Sequence, residues 1–153
     1  MKISFVQLSV VIHQWENEKE IEKKFYELLN GIDIKNIEIK KVSDKGLVSY
    51  NLIYLYAKLY RKKDIEIFFK NLILKNLDEE ELIKNINFDE NYNIYFRIDK
   101  NELLIKDKVK VMYGDDVFHV RIGIDGYKKT KDSVMEFFIN YIKELKSKIN
   151  KVL

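Results

Sequence analysis

Residues 2 to 13 alternate, with Val6, Leu8, Val10 and Ile12 on one parity and Ile3, Phe5, Gln7, Ser9 and His13 on the other. A period of two is that of a strand. From Asn17 the period changes. Asn17 and Glu20 make a capping-box-like start, Ile21, Phe25, Leu28 and Leu29 recur at helical spacing, and Gly31 ends the helix. The stretches "IDIKNIEIKKV" and "VSYNLIYLYAKLY", joined by "SDKG", predict a strand, a turn and a long strand, most simply a β-hairpin. After "RKKD", residues 64 to 77 carry Ile65, Phe68, Phe69, Leu72 and Ile73 as a helical stripe. Asp78 can cap a second, short helix with Glu79, Glu80 and Glu81 in its first turn, where the dipole favours anions. That acidic run therefore reads as a helix start, not a metal site. "NYNIYFRIDK" and "DDVFHVRIGI" predict two further strands, with "ELLIKDKVKVMY" supplying another between them. "GYKK" breaks the chain, and a last helix from Thr130 to about Asn150 buries Val134, Phe138, Tyr141, Leu145 and Ile149. Hairpin-like neighbours without regular βαβ units point to an α+β two-layer sandwich in one domain, residues 1–153, with helices on one face of a largely antiparallel sheet. The other face is then open.

At 153 residues the chain can bury roughly two thirds of its unfolded surface around one core. It has no cysteine, which removes disulfides, thiolate metal sites and thiol nucleophiles and fits a reducing compartment such as the cytoplasm. The apolar start is interrupted by Ser4, Gln7 and Ser9 and no small-residue cleavage site follows, so it reads as a strand of a soluble protein, with no membrane span. Formal charge is +3, and the segment from Lys143, with Lys146, Lys148 and Lys151 against Glu144, supplies all of it. The pI of about 8.8 allows nucleic acid without demanding it.

Parity then assigns the open face. Ile53, Leu55, Ala57 and Leu59 suit the helices, so Tyr54, Tyr56, Lys58 and Tyr60 point away. In the last strand Phe118, Val120, Ile122 and Ile124 go in, while Val117, His119 and Arg121 go out. Ile94, Phe96 and Ile98 go in, Tyr95 and Arg97 go out, and the first strand adds Phe5, Gln7 and His13. The face thus mixes π-surfaces for stacking with cations for phosphates. An ordinary half-wet sheet rich in tyrosine and a homodimer interface would carry the same composition.

Catalytic readings find little support. Along "GDDVFHVRIGI", Asp116 and His119 leave a strand on opposite faces, and Asp115 lies about 13 Å from His119 along it. Asp115 and Asp116 read as a turn that launches the strand. Two histidines and no cysteine leave any zinc site dependent on carboxylates gathered from afar. The five glycines have neither P-loop nor dinucleotide spacing. No enzyme, cofactor or metal is expected.

The order of motifs carries one further indication. The first strand ends in His13 before an acidic helix start (Glu16, Glu18, Glu20), and "FRIDKNE" and "DDVFHVRIGI" follow later. This succession resembles a family of small archaeal proteins described as RNA-binding or exosome-subunit-like, whose fold is similar to that of ribosomal protein L5. Arg97, Asp99, Lys100, Asp115 and Asp116 are the matching positions. The chain departs from the family pattern at "KGLVSYNL", which keeps Gly46 and lacks a proline, and at Asn101. The resemblance implies RNA binding without catalysis, near RNA processing or the ribosome. Combined with parity, it nominates Tyr54, Tyr56, Lys58, Arg97, Lys100 and Arg121 as the contacts to structured RNA, cations meeting phosphates and tyrosines stacking on unpaired bases or ribose. A self-associating or protein-interaction module is the alternative.

Overall fold

The computed structural model describes residues 1–45 and 51–152. Among these, strands β1 (Lys2–Ile12), β2 (Glu38–Lys45), β3 (Asn51–Leu59), β4 (Asn87–Phe88), β5 (Ile94–Asp99) and β6 (Val117–Asp125) form one antiparallel sheet in the spatial order β2-β3-β1-β6-β5-β4. Helices α1 (Glu18–Leu28), α2 (Lys62–Leu74), α3 (Glu79–Asn85), α4 (Lys100–Lys106) and α5 (Lys131–Val152) complete the α+β architecture. None is long and apolar enough to cross a membrane.

The alternation in β1 sends Val6, Leu8, Val10 and Ile12 into a core that also takes Leu55, Ala57, Leu59, Phe118, Val120 and Ile122. Phe25 of α1, Phe68 and Phe69 of α2 and Phe138 of α5 are fully buried in the same cluster, with Phe69 edge-on to Phe138 at 5.5 Å. Each buried phenylalanine contributes roughly 1.5–3 kcal/mol relative to exposure. The helix starts follow local chemistry. Asn17 accepts a hydrogen bond from the Glu20 backbone N–H, and Asp78 accepts one from that of Glu80. The acidic run 79–81 is the first turn of α3.

Four expectations change. Residues 34–36 form a short 3₁₀ turn started by Asp33, whose side chain accepts from the Lys35 N–H, so the strand begins only at Glu38. Ser43, Asp44 and Lys45 continue that strand opposite Ile53, Leu52 and Asn51, and the rest of the expected hairpin turn lies outside the described residues. The predicted strand in "ELLIKDKVKVMY" is instead α4, because Asp99 caps it by accepting from the Glu102 N–H. Alternation does bury Val109 and Val111 beyond it, but there the pairing is an isolated bridge, Val111 with Ile98. Val117, expected outward, is 3% exposed.

Gly123 shows how tightly the sheet is fitted on its open side. It lies opposite Phe5, where the register of β1 shifts, and a Cβ at this position would overlap the Phe5 ring. The ring in turn supports the Lys58 ammonium at 4.4 Å. Gly123→Ala is expected to cost about 1–3 kcal/mol through overpacking, read as a lower urea midpoint with an unchanged slope.

Candidate functional site

Register turns the alternation of single strands into rows across the open face. Lys58, Gln7, Arg121 and Tyr95 stand opposite one another on β3, β1, β6 and β5. The next row is Tyr56, Ser9, His119 and Arg97 on the same four strands, and Tyr54 stands beyond it opposite Val11. With strands spaced about 4.8 Å apart, each row spans roughly 14 Å. Five of the six nominated residues, Tyr54, Tyr56, Lys58, Arg97 and Arg121, therefore share one surface. Tyr54 and Tyr56 have ring centroids 6.2 Å apart.

The charges on this surface are unequally matched. Arg121 is held by Asp89, Nη2 to Oδ2 at 3.1 Å, and Lys40 pairs with Glu38 at 3.0 Å. Lys58 and Arg97 meet no carboxylate within 4 Å among the described residues. Lys58 lies over Phe5 and Tyr60. Arg97 reaches the Gly114 carbonyl at 3.5 Å and lies over the Tyr113 ring at 6.0 Å, and its Nε is enclosed without an acceptor. Burial, then the Arg97 and Lys100 charges, push the His119 pKa below its ordinary value of 6.5, so its imidazole is neutral at pH 7. Burial also raises the Tyr56 phenol, which stays protonated.

Lys100 leaves the nominated set. Its side chain is 1% exposed, and its ammonium donates to both Glu16 carboxylate oxygens at 3.1 and 3.0 Å and to the Val11 carbonyl at 2.9 Å. Asp116 Oδ1 completes the cage at 2.8 Å. Glu16 also accepts from the His13 backbone N–H at 2.9 Å and lies 2.7 Å from His13 Nδ1. Sequence spacing gave no sign of this convergence, in which Lys100 meets a carbonyl 89 positions away. His13, Glu16 and Asp116 have the donor types of a metal site and lie within 4.8 Å of one another. The Lys100 ammonium, bonded to both carboxylates, already supplies the cation. Burial raises the Glu16 pKa, but the His13 N–H and the Lys100 ammonium outweigh it and hold the carboxyl below 4.5. Most of the short motifs that carried the family resemblance thus meet here, and they build the end of the sheet. Beside them Trp15, 74% exposed, stacks on His13 with ring centroids 4.7 Å apart.

A family model described as RNA binding matches residues 5–124. The chain belongs to this family. The matched stretch includes both rows of the open face and the Lys100 cage. An RNA-binding protein of Pyrococcus abyssi, PAB1135, is 25% identical over 136 residues, covering 86% of this chain and 88% of that protein. The crystal structure of protein AF2318 from Archaeglobus fulgidus superposes with a TM-score of 0.72 at 26% identity, covering 94% of this chain and 99% of that one. Protein SSO0741 from Sulfolobus solfataricus shares the fold, with a TM-score of 0.68 at 23% identity over 97% of this chain and 99% of its own.

Proposed function

We propose that this protein is a non-catalytic RNA-binding protein that works as one domain, residues 1–153, through its open sheet face. The observation that carries the reading is that two cations, Lys58 and Arg97, lack acid partners among the described residues on a surface whose other charges are paired and whose remainder is tyrosines and neutral polar groups. Phosphates supply the missing negative charge, and Tyr54 and Tyr56 offer π-faces to unpaired bases or ribose of a structured RNA. Arg121, its charge paired with Asp89, adds its guanidinium plane and its remaining donors. The family description and the name of the Pyrococcus relative support the same partner. The resemblance to exosome-subunit-like proteins with an L5-like fold favours a place near RNA processing or the ribosome, in the cytoplasm.

Titrating the protein into total cellular RNA at two salt concentrations tests this. Two phosphate contacts give a slope of log K against log salt of about −1.4 for single strands, roughly a sevenfold weakening between 50 and 200 mM. Absence of a salt-sensitive complex overturns the reading. If the protein instead forms a salt-tolerant dimer whose population follows protein concentration, the face is a contact between copies.

A further inference from the structure

Between β1, β5 and β6 the open face sinks into a cleft of about 320 Å³, lined by Gln7, Ser9, Asp89, Tyr95, His119 and Arg121. We propose that this cleft receives a single unpaired nucleobase, its edge hydrogen-bonded by Gln7 and Ser9 and its ring against Tyr95 and the Arg121 guanidinium. The proposal rests on the RNA-binding reading and names the part of the RNA that enters.

Size and charge both select this ligand. The volume lies at the low end for small-molecule sites, enough for one base and part of its ribose. A phosphate is the wrong occupant, because the Asp89 carboxylate stands in the wall. Asp89 is fixed as an anion: burial raises its pKa, but hydrogen bonds from the Asn93 and Asn91 backbones, the Asn93 amide and Arg121 outweigh this and lower it. Its charge neutralises Arg121 and leaves the cleft without a free cation. What remains is neutral and polar. Ser9, 7% exposed, and Gln7 make no side-chain hydrogen bond among the described residues, and neither does the neutral His119 ring, so donors and acceptors line the floor unused. The Ser9 hydroxyl is not among the enclosed polar atoms that lack a partner, so it opens on the cleft, where a base edge can take the place of water on it. A glutamine amide pairs a donor with an acceptor, the pattern of a base edge. The guanidinium of Arg121, tethered by Asp89, and the Tyr95 ring supply planes for stacking. The unmatched cations flank the cleft, Arg97 on β5 and Lys58 on β3, where the phosphates on either side of an inserted base would lie.

The test uses the full chain with a short single-stranded RNA of mixed sequence and the same backbone made abasic. The wild type is expected to bind the base-bearing strand at least about tenfold more tightly than the abasic one. Gln7→Ala, and independently Tyr95→Ala, should each weaken binding of the base-bearing strand about tenfold while leaving abasic affinity and the salt slope unchanged. Both positions reach the solvent side of the sheet, and circular dichroism verifies that each variant is folded. Equal binding of the two strands by the wild type, or wild-type affinity in both variants, overturns the cleft while salt-sensitive RNA binding survives. Loss of all binding in the wild type, to either strand and to cellular RNA, would instead bring down the RNA-binding reading and the cleft with it.

Discussion

Lys100→Met is expected to destabilise the fold by about 3–5 kcal/mol, the usual cost of removing one member of a buried ion pair. The ammonium is enclosed, and the substitution leaves the half-buried Glu16 carboxylate facing Asp116 and the Val11 carbonyl with no cation between them. Glu16→Gln should cost a similar amount for the converse reason, since a buried ammonium then loses its better-enclosed counter-charge and keeps only that of the exposed Asp116. The double variant should recover part of the loss because both charges have gone, and the coupling measures the pair directly. The same pair sets an acid limit. The Glu16 pKa is lowered on folding, so its contribution is complete above about pH 4.5 and is lost as pH falls through the lower folded value. Urea midpoints across pH read both effects. A loss under about 1 kcal/mol for Lys100→Met would mean that its ammonium reaches water, as surface pairs do. RNA affinity per folded molecule should not change, because Lys100 offers nothing to the surface.

Replacing Lys58 and Arg97 together by glutamine should weaken RNA binding on the order of 100-fold. Each charge-assisted hydrogen bond to phosphate contributes about 1.5 kcal/mol or more, and two make roughly 3 kcal/mol. The salt slope should fall in magnitude by about 1.4 at the same time, since two fewer counterions are released. Stability should fall by no more than about 1–2 kcal/mol, since neither side chain has an acid partner among the described residues and what is lost is the stacking of Lys58 on the Phe5 and Tyr60 rings and the long Arg97 contact with the Gly114 carbonyl. Arg97→Lys alone should keep the slope but not the full affinity, because it carries the charge without the planar fork of donors. Fluorescence anisotropy at several salt concentrations separates these outcomes. An unchanged slope in the double variant would show that the phosphates lie elsewhere.

The sheet face was legible from the chain because parity is local. Successive Cβ atoms alternate by covalent geometry, so a period of two in 52–60, 94–99 and 117–125 fixed which side chains leave together before any partner strand was known. The same reasoning failed at Val117, where other parts of the chain cover an outward residue. It failed more fully at Lys100, whose neighbours Asp99 and Asn101 give every sign of an exposed cation. Alternation in residues 108–112 was real, yet it supports only a bridge because the edge of β5 is also shared with β4.

By itself the sequence determined the strand faces, the helix caps at Asn17 and Asp78, the α+β class and the chemistry of the open surface, all of which follow from residues within a turn or two of one another. Only the tertiary structure decided that β1 lies between β3 and β6, which brings Gln7 and Ser9 between Lys58 and Arg121 and makes a cleft of separate strands. It also decided that a lysine at position 100 would be caged by Glu16, 84 residues away. Burial and ion pairing depend on which distant segments meet, and the free energy of that meeting is shared over the whole core.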